Sequence, residues 1–215
     1  WKRGYWGATH HYGYSMRLGA AEPYGMLDDC LQQAELIVFW SSDPESTGGS
    51  YGAFEGTLRR FFARDVGIEM VHIDPHLNPT ASLLGGKWIP IVPGTDPALA
   101  HAIAHVWMTE GLYDKAYVAE RTTGFDKYRD YVLGVEDGVP KSPEWQEPET
   151  GVPAFTVRAL ARKWGTRRTY LGAGGKGTAF GGACRSATGS QWARAMVCLM
   201  AMQGLGKPGV NFGNL

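Results

Sequence analysis

The chain has 215 residues, 44% of them hydrophobic, and carries 21 basic and 21 acidic residues, so its formal net charge is zero. A balanced charge creates no general field that attracts nucleic acid or an anionic membrane, and no stretch approaches the ~20 apolar residues of a membrane helix. The three cysteines form no CxxC pair, which argues against a zinc or iron–sulfur site, while 30 glycines favour tight turns and close backbone approaches to a bound molecule.

The first half of the chain alternates between predicted strands and helices. Residues 1–20 are aromatic and glycine-rich without a helical period, and predict an irregular N-terminal segment. The run Leu36–Trp40 is apolar throughout, which is typical of a strand buried on both faces of a parallel sheet. The other predicted elements here are a short helix at Met26–Ala34, a helix at Phe54–Asp65 and a strand at Glu69–Ile73. This β–α–β order is the unit of a parallel sheet with right-handed crossovers.

The second half predicts more elements of the same kind. Asp96 stands where an N-cap belongs and Pro97 at the first position of an amphipathic helix, whereas the polar, proline-bearing stretch Gly134–Gly151 predicts a loop. The remaining predicted elements are strands at Trp88–Val92 and Thr169–Leu171, and helices at Ala98–Glu110, Val157–Trp164, Gln191–Gln203 and, in two pieces, Asp114–Leu133. We therefore predict one α/β domain over residues 1–215, a Rossmann-like three-layer fold with a mainly parallel sheet and helices on both faces.

Polar or turn-forming residues follow three of the predicted strands. They are Ser41-Ser42-Asp43-Pro44, Asp74-Pro75 and Gly94-Thr95-Asp96. In an open parallel sheet these ends lie along one edge, where ligands bind. Serine hydroxyls and free amides can hold a phosphate, a carboxylate after the second strand can accept ribose hydroxyls, and a further carboxylate can accept the two parallel N–H bonds of a guanine edge.

Each of these signals also has a simpler explanation. Ser-Asp-Pro after a strand is an ordinary turn, and Asp96 as a helix cap is worth about 1 kcal/mol without any ligand. The glycine cluster Gly172–Gly177 lacks the Ser or Thr that follows the lysine of a phosphate-binding loop, and the first strand carries no GxGxxG, so a nucleoside triphosphatase or an ordinary NAD-binding domain is disfavoured. His101 and His105 share a helical face, but the glutamate of the metalloprotease motif is missing. We predict no catalytic residue and no metal ligand.

Several ordered motifs resemble the molybdopterin oxidoreductases of the dimethyl sulfoxide reductase family. They are residues 37–44, 73–75 with 80–81, 93–96 with 98–99, 112–114, 124–125, 141–145 and 204–209. The sequences of residues 6–11 and 40–44 resemble those of pyrogallol–phloroglucinol transhydroxylases. Trimethylamine N-oxide reductases are the other similar subgroup.

The resemblance implies that this stretch binds one of two molybdopterin guanine dinucleotides (bis-MGD with molybdenum in the full-length parent). We predict cofactor binding for residues that come from the resemblance, from the strand ends and from the glycine cluster. They are Trp40, Ser41, Ser42, Asp43, Asp74, Pro75, Gly94, Thr95, Asp96, Gly172 and Gly174. Many relatives have Gly-Ser-Asn-Pro where this chain has Ser41-Ser42-Asp43-Pro44. An acid beside a phosphate would repel it, so we expect Asp43 to meet a sugar hydroxyl or an amide.

The resemblance also implies that the metal ligand, any iron–sulfur cluster and the second dinucleotide domain lie outside this chain. We then expect a domain fragment without turnover of its own, whose partners are the remaining domains of the parent subunit, with an iron–sulfur electron-transfer subunit as a further candidate. The parent would be a polyphenol transhydroxylase or an N-oxide or S-oxide reductase, in the periplasm or, in preference, the cytoplasm. Two alternatives stay open: a nucleotide-binding module unrelated to molybdenum, and an interaction scaffold without a ligand.

Overall fold

A five-stranded, all-parallel sheet with the order β3-β2-β1-β4-β5 forms the centre of the computed structural model, which describes residues 32–47, 53–173 and 186–213. The strands are β1 Leu36–Trp40, β2 Glu69–Ile73, β3 Lys87–Ile89, β4 Thr169–Ala173 and β5 Phe212–Gly213. The chain winds from β1 outward to β3 and then returns to the other side of β1. This order is that of a doubly wound Rossmann-type sheet, in which ligands bind beside the strand where the winding direction reverses.

Helices cover both faces of the sheet, as the sequence predicted. They are α1 Pro44–Thr47, α2 Ala53–Asp65, α3 Pro79–Leu84, α4 Asp96–Glu110, α5 Lys115–Arg121, α6 Phe125–Val132, α7 Pro143–Thr150, α8 Ala154–Gly165 and α9 Gly189–Met202. Leu36, Val38 and Trp40 of β1 join the larger core with α4, α8 and α9. Ile37 and Phe39 point to the opposite side and join a smaller core with α2. Because both faces are covered, β1 needs no polar alternation.

One row of residues across the sheet explains Gly172. Phe39 pairs with His72 in β2 and with Gly172 in β4, and the Phe39 and His72 rings stack with centroids 4.9 Å apart. A Cβ atom at Gly172 would lie 3.2 Å from Phe39 Cδ1, closer than an ordinary packing contact. The missing side chain therefore makes room for the Phe39 ring.

Three sequence predictions about the elements are wrong. The predicted loop Gly134–Gly151 contains α7, which Ser142 caps through its hydroxyl and Pro143 begins. Strand β3 ends at Ile89 rather than Val92, since Pro90 has no N–H for the ladder. The N-cap of α4 is Thr95 and not Asp96, which is the first helical residue. Most of the helix predicted at Met26–Ala34 lies outside the described residues.

The other predicted helices and strands within the described ranges are confirmed to within a few residues. The two predicted helices of Asp114–Leu133 are α5 and α6, separated at Thr122–Gly124. None of the helices in the described part of the chain is long and apolar enough to cross a lipid bilayer.

Candidate functional site

The three polar segments predicted from the sequence meet at the carboxyl edge of the sheet. The Ser41 amide donates to the Ile73 carbonyl at 2.8 Å, which joins the ends of β1 and β2. Trp40 Nε1, at the end of β1, donates to Asp96 Oδ1 at 2.9 Å, which joins β1 to the start of α4. We call the residues around these contacts, Trp40–Asp43, Asp74, Asn78 and Gly94–Asp96, the rim.

Ser42 carries a buried hydroxyl at the rim. The residue is 2% exposed, and its Oγ has no hydrogen-bond partner among the described residues. Leaving a buried hydroxyl unpaired costs about 1–3 kcal/mol, so proteins rarely keep one without a reason. The preceding residue, Ser41, turns the chain out of β1 with φ 51°, in the left-handed region that few residues other than glycine adopt.

Asp43 connects the loop after β1 to α3 through hydrogen bonds. Its Oδ1 accepts from the Thr80 amide at 3.1 Å and from the Thr80 hydroxyl at 2.6 Å. The Glu45 amide donates in turn to Thr80 Oγ1 at 3.0 Å. Asp43 is therefore bonded to an amide and a hydroxyl of this chain, in the first turn of α3.

Asp74 follows β2 and is 8% exposed. Its Oδ2 accepts from Asn78 Nδ2 at 3.1 Å, and the same Asn78 amide group reaches the Ser42 carbonyl at 3.5 Å. On the other side, Asp74 Oδ1 lies 3.1 Å from His76 Nδ1. A carboxylate has about four acceptor positions, so these contacts orient Asp74 without using its full capacity.

Asp96 is 4% exposed and lies under opposing influences. Burial raises the pKa of its carboxyl group, and the nearby charge of Asp74 adds to that rise. The Trp40 indole N–H and the Gly94 and Asp96 amides lower the pKa, because these donors stabilise the ionised form. The result is an acidic group held in place by fixed N–H donors.

The remaining predicted cofactor residues occupy different positions. Gly94 has φ 85°, and its carbonyl accepts from Thr188 Oγ1 at 2.7 Å, while the Thr95 hydroxyl closes its own turn on the Val92 carbonyl at 2.7 Å. Pro75 is exposed beside Asp74. Gly172 lies within β4 against Phe39, and Gly174 lies outside the described residues.

The sequence analysis assigned no site role to two residues that organise the rim. Asn78 accepts the Ala81 amide at 2.8 Å as the cap of α3 and also contacts Asp74, and fully buried Thr80 binds Asp43. The signal for Asn78 was present, because Asn followed by Pro at the next position is a typical helix start. The bond from Thr80 to Asp43 spans 37 residues, and no local pattern indicates it.

The described residues offer carboxylate acceptors at the rim but no metal-binding group. No three His, Cys, Asp or Glu side chains cluster as a metal site would require within 32–47, 53–173 and 186–213. His101 Nδ1 lies 3.2 Å from the Tyr128 hydroxyl, and burial lowers its pKa to about 4, so this histidine is neutral at pH 7. The chemistry that the rim can perform is recognition of a ligand rich in N–H or O–H donors.

Comparison with known proteins gives consistent matches. A family model described as molybdopterin oxidoreductase matches residues 6–215. The chain is 53% identical over 211 residues to the pyrogallol hydroxytransferase large subunit of Pelobacter acidigallici, with 98% of this chain and 24% of that protein covered. It is 35% identical over 189 residues to a dimethyl sulfoxide/trimethylamine N-oxide reductase of Rhodobacter capsulatus, with 85% and 22% covered.

Among solved structures, acetylene hydratase from Pelobacter acetylenicus is similar in fold. Its TM-score is 0.70 at 18% sequence identity, and the match covers 97% of this chain and 25% of that one. At this identity the similarity shows the fold alone. The chain spans about a quarter of the length of the curated relatives it matches.

Proposed function

Since this chain belongs to the molybdopterin oxidoreductase family, whose cofactor is a molybdenum–pterin, we propose that it binds the guanine dinucleotide tail of that cofactor within a larger enzyme. The observation that carries the proposal is the convergence of Ser42, Asp74 and Asp96 at the rim. There the N–H and O–H groups of a guanosine would meet acceptors that the fold already orients.

The chemistry of the rim favours guanosine over adenosine. A guanine edge presents two neighbouring N–H donors to one carboxylate, whereas an adenine edge alternates donor and acceptor. Asp96 suits the guanine edge, and Asp74 suits the ribose hydroxyls. The unpaired Ser42 hydroxyl is the donor that a sugar or phosphate oxygen would engage, because carboxylates repel phosphate.

The cofactor, when bound, supplies the redox chemistry and the transfer of an oxygen atom or hydroxyl group. Asp96 would orient the base, Asp74 would orient the ribose, and the turn at Ser41 would let the backbone pass close to the dinucleotide. These residues bind and position, and none of them exchanges a proton with a substrate. We accordingly propose that the chain has no turnover when isolated.

For the whole protein we propose hydroxyl transfer on a polyphenol. The relative with 53% identity is named a pyrogallol hydroxytransferase, and the N-oxide reductase relative is 35% identical. The first of these is a large subunit by name, so the proposed partners are the remaining domains of the parent and, as a further candidate, an iron–sulfur electron-transfer subunit. The second dinucleotide of a bis-MGD cofactor would be held outside this chain.

Titration of the isotopically labelled chain with GDP, followed by amide NMR, tests the proposal, with ADP and NAD as competing nucleotides. We expect weak binding, because this chain would supply only part of the cavity, with shifts concentrated at Ser41–Asp43, Asp74 and Gly94–Asp96. Asp126→Asn is a matched control, since this α6 carboxylate is 81% exposed and should not affect binding. An equal response to ADP, or GDP shifts away from the rim, would contradict the proposal.

A further inference from the structure

We infer that Trp40 is a positioning residue for guanine recognition, which acts by holding the Asp96 carboxylate through its indole N–H. The inference rests on the proposed function, because it explains how the guanine-binding carboxylate is kept in place. It also changes the role expected for Trp40 from the sequence, which was direct contact with the cofactor.

Trp40 is buried and is hydrogen-bonded to Asp96. Trp40 is 0% exposed and Asp96 is 4% exposed, so the indole offers no surface of its own to a ligand. Their hydrogen bond is 2.9 Å long and joins residues 56 positions apart, from the last residue of β1 to the first residue of α4. A rigid ring packed in the sheet core thereby fixes a side chain that would otherwise rotate about two torsion angles.

The indole N–H also favours the ionised carboxylate. Burial and the negative charge of Asp74, after β2, both raise the pKa of Asp96, and a protonated acid can accept fewer hydrogen bonds from a base. Besides Trp40, the opposing donors are the amides of Gly94 and of Asp96 itself. Thr188, the residue before α9, donates through its hydroxyl to the Gly94 carbonyl and brings no charge to this region. Removing the indole N–H should therefore shift the carboxylate toward its neutral form.

The chain contains a well-matched control tryptophan. Trp107 lies in α4, is also 0% exposed, and donates through Nε1 to the Ala161 carbonyl of α8 at 2.7 Å. Trp107→Phe removes a buried indole hydrogen bond of the same kind without touching Asp96. General loss of stability should affect both variants, whereas an effect on guanine recognition should appear in Trp40→Phe alone.

The test measures GDP and ADP binding by wild type, Trp40→Phe and Trp107→Phe across the acid range. For Trp40→Phe we expect about tenfold weaker GDP binding, or about 1.4 kcal/mol, because the carboxylate loses the donor that orients it, with ADP binding unchanged. The midpoint of the pH dependence of GDP binding should move upward. Trp107→Phe should keep the wild-type preference for GDP and the wild-type midpoint. An unchanged GDP preference and midpoint in Trp40→Phe would overturn the inference.

A second measurement on the wild-type chain covers the case in which Trp40→Phe fails to fold. The eight tryptophans give separate indole N–H resonances, and sequential assignment identifies that of Trp40. We expect this resonance to move on addition of GDP and to stay in place with ADP. If GDP shifts the rim amides but not the Trp40 indole N–H resonance, the inference is wrong while the proposed function stands. A wild-type chain that does not distinguish GDP from ADP would refute the proposed function, and the inference with it.

Discussion

Replacing Asp96 by asparagine should weaken guanine binding while stabilising the ligand-free chain. The substitution keeps the size of the side chain and an oxygen that can still accept from Trp40 Nε1, now 2.9 Å away. It removes the negative charge and exchanges the second oxygen for an NH₂ group. That group would face guanine N–H donors, so a favourable contact becomes a contact between two donors.

The expected loss of affinity follows from the bonds involved. One hydrogen bond to a charged group is worth about 1.5–3 kcal/mol, and a buried donor left without an acceptor costs about 1–3 kcal/mol. A total near 3 kcal/mol corresponds to roughly a hundredfold weaker GDP binding. The effect on stability has the opposite sign, because ionising a carboxyl group that is 4% exposed opposes folding. Contact of the new NH₂ group with the Gly94 and Asp96 amides offsets part of this gain.

The stability effect should depend on pH in a defined direction. Burial raises the pKa of Asp96 above its ordinary value of 3.8, so the native state binds the proton more tightly than the unfolded state. The stabilisation from this group is complete below pH 3.8 and is lost as the pH rises through the raised native pKa. Asp96→Asn should therefore gain stability over wild type at pH 7, with the difference shrinking toward acid.

Urea unfolding at pH 7 and in acid, combined with GDP titration, measures both effects. Asp126→Asn serves as the control, since its carboxylate is 81% exposed: GDP affinity should not change, and loss of its exposed pair with Arg129 should alter stability by no more than about 0.5 kcal/mol. If Asp96→Asn retains GDP affinity within about threefold of wild type, the assignment of Asp96 to guanine is wrong. If it is less stable than wild type at pH 7, the stability argument from burial of the charge is wrong.

Other perturbations test other parts of the molecule. Ser42→Ala removes a buried hydroxyl that has no partner in the described residues. Thermal unfolding should show a stability equal to wild type or higher by up to about 1 kcal/mol, and GDP should bind more weakly. A clear loss of stability would contradict this prediction. Arg60→Met should destabilise the fold by about 3 kcal/mol, because the Glu45 carboxylate, 2.6 Å from Arg60 Nε and 8% exposed, would stay buried without its cation. Adding Glu45→Leu should restore part of the lost stability in denaturant unfolding. If the double variant recovers nothing, the ion pair does not explain the loss. Burial lowers the pKa of His101 from 6.5 to about 4, so stability should fall as the pH drops through that interval, and a His101→Gln variant with an equally steep fall would exclude this histidine as a contributor.

The sequence predicted most of the fold because its strongest signals are local. Five consecutive apolar residues predict a strand like β1, and the proline near the start of α4 marks a helix. Helix α7 was missed because its interior is polar: Gln146 is fully buried but bonds through Nε2 to the Pro143 and Val152 carbonyls, so hydrophobic spacing gives no sign of burial. Strand β5 has two residues and exists only through its pairing with β4.

The rim was predictable in outline, while its internal bonding was not. Turn residues at the ends of parallel strands indicated where Ser42, Asp74 and Asp96 would meet. Asp74 is oriented by Asn78, only four residues away. The bonds that hold Asp96 and the Ser42–Asp43 turn cross 36 to 56 residues and depend on how the helices pack. The predicted family is confirmed by the match over residues 6–215, and both predicted subgroups are among its relatives. The cofactor contacts, and the assignment of residues 1–215 to one domain, stay predictions.

The backbone at Ser41 determines which mutations at that position can be interpreted. Its φ of 51° costs an ordinary L-residue about 1 kcal/mol, and a β-branched residue more. Saturation mutagenesis there would therefore rank residues by shape before chemistry, with Gly, Asn and Asp tolerated and Val, Ile and Thr depleted. A deleterious substitution at position 41 would then be no sign of lost ligand contact, and an engineered glycine could relax the turn while the polar groups of its neighbours stay in place.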